Sequence, residues 1–115
     1  MYHPNVWLVV LVFWVHFISD FVLQTDEMAK NKSTSNKWLT EHVKIYTIVM
    51  FGFGPVYAIV NGILHWITDY FSSRASSKIW KDGRVHDFFV VIGIDQAIHM
   101  TCLVLTLPLV WWPLV

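Results

Sequence analysis

Charge is scarce in this sequence. Asp, Glu, Lys and Arg make up 14% of its 115 residues, against about 25% in a typical soluble domain. Hydrophobic residues reach 56% and the mean hydropathy is +0.51. That leaves too little polar surface to cover a water-soluble globule of this size. Eight basic residues balance eight acidic ones, so no excess of positive charge points to nucleic acid. Cysteine is nearly absent. Cys102 stands alone, which excludes an intrachain disulfide and a thiolate zinc motif and reads as a small core residue. Lys and Arg are absent from most of the chain, because all eight fall within residues 30–44 and 74–84. No basic segment precedes the first apolar run, residues 6–15, and no small-residue cleavage site follows it. The run is therefore expected to be a retained first span rather than a cleaved signal.

What is present is a series of apolar segments of helical length. They predict one all-α domain over residues 1–115, an integral membrane bundle of about four transmembrane helices. The first span covers residues 4–23 and is apolar except for His16, Ser19 and Asp20. Residues 24–37 are polar and read as a loop and a helix start. The second span covers 38–51 and is broken by Gly52, Gly54 and Pro55, which favour a tight turn. A single helix from 38 to 74 would be about 55 Å long, nearly twice the apolar thickness of a bilayer. The third span covers 56–71, residues 72–84 form a second polar loop, and the fourth span starts near Asp87. Spans two and three are shorter than the roughly 20 residues of a full crossing, so tilt or local thinning is expected. An even number of spans puts both basic loops on one side, which the positive-inside rule makes cytoplasmic. Both termini and the Gly52–Pro55 turn then lie outside. Tyr2, Trp7, Trp111 and Trp112 would form an aromatic belt there, with His3 at the same boundary.

Three spans each carry a His and an Asp four residues apart: His16 and Asp20, His65 and Asp69, Asp95 and His99. Positions i and i+4 share a helix face, so each pair can aim two ligand-type groups in one direction. His42 adds a fourth histidine near the start of span two. Measured at 1.5 Å per residue from span ends at residues 24, 38, 74 and 87, all but His99 fall in one layer of the cytoplasmic half. His99 comes out deeper, at roughly 18 Å. Carboxylates in a bilayer cost about 2.5–3.5 kcal/mol each, and no Lys or Arg lies in spans one, three or four to offset them. Imidazole and carboxylate together suit Zn, Mn or Fe, and helical bundles build such sites from facing helices. The expected ligands are His16, Asp20, His42, His65, Asp69, Asp95 and His99, around one divalent ion, most readily Zn, or more than one. Asp26 could serve as general base, with Glu27 beside it read as a solvated acid. Lys32 could hold an anionic substrate.

These residues resemble a known family. The opening block His16 to Phe21, Leu23 to Asp26, Met28, Ala29 and Lys32 is similar to the signature of the domain of unknown function 3307 family. His42, His65, Asp69, Tyr70, Asp95, Gln96 and His99 continue the likeness. The resemblance implies a small membrane protein of bacteria or their phages, hence the bacterial inner membrane, with no established activity. More distantly, the pattern resembles the membrane-bound metal-dependent hydrolases grouped with zinc phospholipase C. That likeness implies hydrolysis of a phosphoester or lipid-linked substrate at the cytoplasmic interface, with Gln24 and Lys32 binding substrate. Two other readings stay open. One is a non-enzymatic membrane interaction protein with a structural metal site, as a monomer or homo-oligomer. The other is a proton or ion relay.

Overall fold

The computed structural model describes residues 5–111, so Tyr2, His3 and Trp112 lie outside the described residues. Helix α1, Val6–Phe17, begins at Asn5, whose side chain accepts a hydrogen bond from the Trp7 backbone at 2.8 Å. It runs without a break into a π turn, Ile18–Val22, closed by Leu23 N–H donating to the Ile18 carbonyl at 2.9 Å. A short helix follows, α2, Asp26–Asn31, with Thr25 as its cap. Ser35 caps α3, Asn36–Met50. The chain then reverses through a 3₁₀ turn, Phe51–Phe53, and Gly54 at φ +116°. Pro55 opens α4, Pro55–Lys81, where its missing N–H has no helical partner to lose. Gly83, at φ +75°, makes the next reversal. Helix α5, Val85–Leu105, and a 3₁₀ turn, Leu107–Leu109, complete the chain.

The all-α expectation stands, with no strand among the described residues. The turn at residues 52–55 also stands. Two boundaries differ. Residues 24–37 hold α2 rather than loop alone. More consequentially, α4 continues ten residues past the expected end at residue 71, so the second polar loop shrinks to residues 82–84. Polarity there was mistaken for irregularity. Residues 72–81 contain neither Gly nor Pro, and their side chains bond back into the helix. The Ser76 hydroxyl donates to the Ser73 carbonyl at 3.1 Å, and Arg74 Nη1 to the Tyr70 carbonyl at 3.0 Å.

Helices α1, α3, α4 and α5 pack as an up-and-down bundle, and its interior divides in two along the axis. The end that holds the 51–54 turn is filled by apolar groups: Leu8, Val12, Met50, Phe53, Ala58, Leu103 and Leu107, with Tyr46 and Tyr57. The Tyr57 hydroxyl there donates to the Leu103 carbonyl at 2.8 Å. The other half is polar. His16, Ser19, Asp20, His42, His65, Asp69, Asp95 and His99 are all buried. The outside is the reverse, with Trp7, Leu11, Trp14, Phe17, Ile48, Val56, Ile59, Ile63, Ile67, Phe71, Phe89, Ile94 and Ile98 all exposed. Of the helices, α5 is long and apolar enough to cross a membrane. The stretch Val6–Val22 is apolar but shorter, α3 has 15 residues, and α4 has length without the hydropathy.

Candidate metal centre

Helix α4 supplies the middle of the site. His65 and Asp69 lie one turn apart on its buried face, with His65 Nε2 at 3.2 Å from Asp69 Oδ2. Helix α3 brings His42, whose Nε2 stands 3.2 Å from His65 Nε2 and 3.3 Å from Asp69 Oδ2. Asp20 comes from the π turn. An extra residue in that turn rotates the chain relative to α1. Asp20 Oδ1 accordingly reaches His42 Nε2 at 3.0 Å and His65 Nε2 at 3.3 Å, whereas its own-helix partner His16 is 3.7 Å away.

Those four atoms, Asp20 Oδ1, His42 Nε2, His65 Nε2 and Asp69 Oδ2, form a compact buried group. Five of the six separations among them fall between 3.0 and 3.3 Å. Hydrogen bonds do not account for this. Carboxylate oxygens carry no proton, and each Nε2 carries at most one, so two protons at most face five contacts. A tetrahedral ion with ligands about 2.0 Å away holds them about 3.3 Å from one another. The donor set therefore fits a divalent cation, and the buried His and Asp groups could hold one.

A second group adjoins the first. Asp20, Asp95 and His99 place ligand atoms within 4.8 Å of one another. His99 Nε2 lies 3.2 Å from Asp95 Oδ2 and 3.0 Å from Asp69 Oδ1. Asp69 thus turns one oxygen to each group. His99, expected to lie deeper than the other groups, instead stands level with Asp69, and the extended α4 is the reason. Counted from the 82–84 reversal, Asp69 lies about 18 Å along α4, while Asp95 and His99 lie about 15 and 21 Å along α5. The pair straddles Asp69.

The remaining expected residues sit around these groups. His16 is buried but in neither group. Its Nε2 is 2.8 Å from the Gln96 amide oxygen, which can only accept, so Nε2–H donates. Nδ1 of the neutral ring then accepts from the Tyr46 hydroxyl at 2.8 Å. The Gln96 amide nitrogen donates to Asp20 Oδ2 at 3.1 Å and Asp95 Oδ2 at 2.9 Å. The Ser72 hydroxyl donates to the other Asp95 oxygen. Lys32 Nζ lies 3.5 Å from Asp69 Oδ2 and is the cation of the site. Asp26 and Glu27 are exposed at the start of α2, outside both groups. The Gln24 side-chain oxygen is buried without a hydrogen-bond partner among the described residues.

Tyr46, Gln96 and Ser72 were not singled out as site residues from the sequence. Tyr46 had a signal, since it follows His42 by four residues on the same face of α3. The Tyr46 ring also stacks on His65 at 4.0 Å, and His99 covers the opposite face of His65 at 4.1 Å. This sandwich fixes the ring of His65, whose Nδ1 has no hydrogen-bond partner among the described residues.

Among known proteins, the model of the family described as "Protein of unknown function (DUF3307)" matches residues 8–114. No curated protein and no solved structure matches, so these comparisons do not support the expected relationship to metal-dependent hydrolases.

Proposed function

The chain belongs to the DUF3307 family, and we propose that it is an integral membrane metalloenzyme that hydrolyses a phosphoester or lipid-linked substrate at the cytoplasmic interface. The observation that carries the reading is the compact buried set of Asp20, His42, His65 and Asp69, packed at separations that two protons cannot explain. Two imidazoles and two carboxylates favour Zn, with Mn or Fe as the other candidates. The second group, Asp20, Asp95 and His99, offers a place for another ion, and Asp20 and Asp69 have an oxygen for each.

Three features support the membrane part of the reading. The surface of the bundle is apolar and half its interior is polar, the reverse of a soluble protein. The body measures 47 Å along its longest axis, close to the roughly 40–45 Å of a bilayer with its headgroups. Apart from Lys44, partway along α3, the basic residues of 30–44 and 74–84 belong to the end where α2 and the 82–84 reversal lie, which supports four spans with that end cytoplasmic.

An ion held by Asp20, His42, His65 and Asp69 would supply Lewis acidity toward a phosphoryl oxygen and would acidify water. The chain supplies the rest. Lys32 holds the negative charge of the substrate beside Asp69. A carboxylate oxygen of the cluster takes the proton from the attacking water. We assign that role within the cluster rather than to exposed Asp26, because general base catalysis needs hydrogen-bond reach to the proton. The apolar half of the bundle closes the site from the other membrane face.

The test is metal content and turnover together, on protein purified in mild detergent without added metal. Wild type should carry stoichiometric Zn, Mn or Fe and cleave a phosphoester such as p-nitrophenyl phosphate or a lipid phosphate. Asp69→Asn, checked for folding by helical signal and elution volume, should lose both. Full turnover in metal-free protein overturns the hydrolase reading. Bound metal without turnover on any phosphoester favours the structural-metal reading, which the deep burial of His42, His65 and Asp69 also suits.

A further inference from the structure

Beside the cluster, between α2 and the adjoining halves of α4 and α5, lies an open cavity of about 400 Å³. Its lining combines two chemistries, the polar and basic groups of Lys30, Lys32 and Ser73 and the apolar groups of Trp80, Phe88 and Ile92. Lys32 joins the cavity to the metal centre, because its ammonium group stands 3.5 Å from Asp69 Oδ2. Ser73 follows Asp69 by one helical turn, is 9% exposed, and its hydroxyl has no hydrogen-bond partner among the described residues. A buried hydroxyl left unpaired costs free energy that a ligand oxygen would recover. The lining also carries a packed aromatic pair, with the Trp80 and Phe88 rings 4.9 Å apart. No acidic side chain lines the cavity. It therefore suits a negative head and an apolar chain, and its volume lies in the range of small-molecule sites.

We propose that this cavity binds the substrate as a phosphate-bearing amphiphile. The phosphate rests on Lys30, Lys32 and the Ser73 hydroxyl, with its ester oxygen toward Asp69, and the hydrocarbon chain lies along Trp80 and Phe88. The inference deepens the hydrolase reading by giving its substrate class and the residues that select it. Binding at this site does not itself depend on turnover.

The experiment is calorimetric titration of the full chain in phosphatidylcholine nanodiscs with octyl phosphate, octanol and inorganic phosphate. Wild type should bind octyl phosphate saturably and the other two much more weakly. Lys30→Gln and Lys32→Gln should each weaken octyl phosphate about tenfold or more, as loss of a charge-assisted contact does. Trp80→Ala should weaken it by about tenfold through lost apolar contact. Lys30 and Trp80 are exposed, so their variants stay informative if Lys32→Gln perturbs the fold. Equal affinity for inorganic and octyl phosphate, or unchanged binding in both Lys30→Gln and Trp80→Ala, overturns the proposal. Saturable binding without hydrolysis in metal-loaded protein upholds this site while removing the hydrolase reading. Hydrolysis with no effect of these variants does the opposite.

Discussion

His42 Nε2 and His65 Nε2 face each other at 3.2 Å across the α3–α4 interface, and both point at the same two carboxylate oxygens, Asp20 Oδ1 and Asp69 Oδ2. Two nitrogens that share acceptors in this way leave more contacts than protons, and a cation could take the place between them. Lys32 lies on the Asp69 side only, so a cation among the four atoms would offset the carboxylate charge that Lys32 does not reach.

His42→Ala should therefore reduce bound metal from stoichiometric to background, while His16→Ala should leave the ion in place. His16 spends its nitrogens on Tyr46 and Gln96, at 2.8 Å each. Metal analysis of the two purified variants decides this. Equal loss in both would mean that His16 is a ligand and that the hydrogen-bonded arrangement around it rearranges when an ion binds.

Ser72→Ala tests whether the second group takes an ion. The Ser72 hydroxyl orients Asp95, which belongs to that group and not to the first. Removing a group that orients a ligand lowers metal affinity by about 10–100-fold. A protein with two ions should lose one to a competing chelator earlier than wild type does and retain the other. Chelator titration followed by metal analysis reads both steps, and a single unaltered step would restrict the site to one ion.

Gly62→Ala should destabilise the bundle by about 1–3 kcal/mol, the usual cost of overpacking. A Cβ at residue 62 would collide with Thr47 Oγ1. That hydroxyl is already held on α3 by the Val43 carbonyl at 2.8 Å. Thr47→Ala removes the obstacle, so the double variant should recover most of the loss. Thermal unfolding in detergent of the two single variants and the double variant measures the coupling, and additive losses would place the strain elsewhere.

The paired residues of the site were legible because a four-residue spacing keeps its meaning on any helix. His65 and Asp69, and Asp95 and His99, each sit at 3.2 Å. His16 and Asp20 share that spacing yet part company, since a π turn with no glycine or proline to mark it lies between their roles. The depth of His99 was misjudged for a related reason. Serine, arginine and lysine at residues 72–81 look like loop in composition, but a helix whose side chains can bond its own carbonyls tolerates them, and ten extra residues of α4 shift the register with α5. Gln96 was not legible as a site residue, because an amide next to an aspartate becomes informative only when α1 brings His16 and Asp20 against it.

Cysteine labelling tests the membrane reading. In a Cys102→Ser background, single cysteines at Ser33, Gly52 and Asp82 sample both ends of the bundle. Residues 33 and 82 lie at the end of α2 and the α4–α5 reversal, and Gly52 lies in the opposite turn. Gly52 and Asp82 are exposed and Ser33 is partly so. A bundle that crosses the membrane four times should show Ser33→Cys and Asp82→Cys reacting with an impermeant maleimide only after the cells are opened, and Gly52→Cys reacting in intact cells. The expected side follows from charge, because every lysine and arginine except Lys44, which lies partway along α3, belongs to the first end and basic residues are retained in the cytoplasm. Helix α3 has only 15 residues, so crossing requires it to combine with the Phe51–Phe53 turn or to thin the bilayer locally. If all three positions react from the same side, the helices lie on the membrane or cross it through α5 alone, and the cluster would open to water on the face that now packs against Lys32.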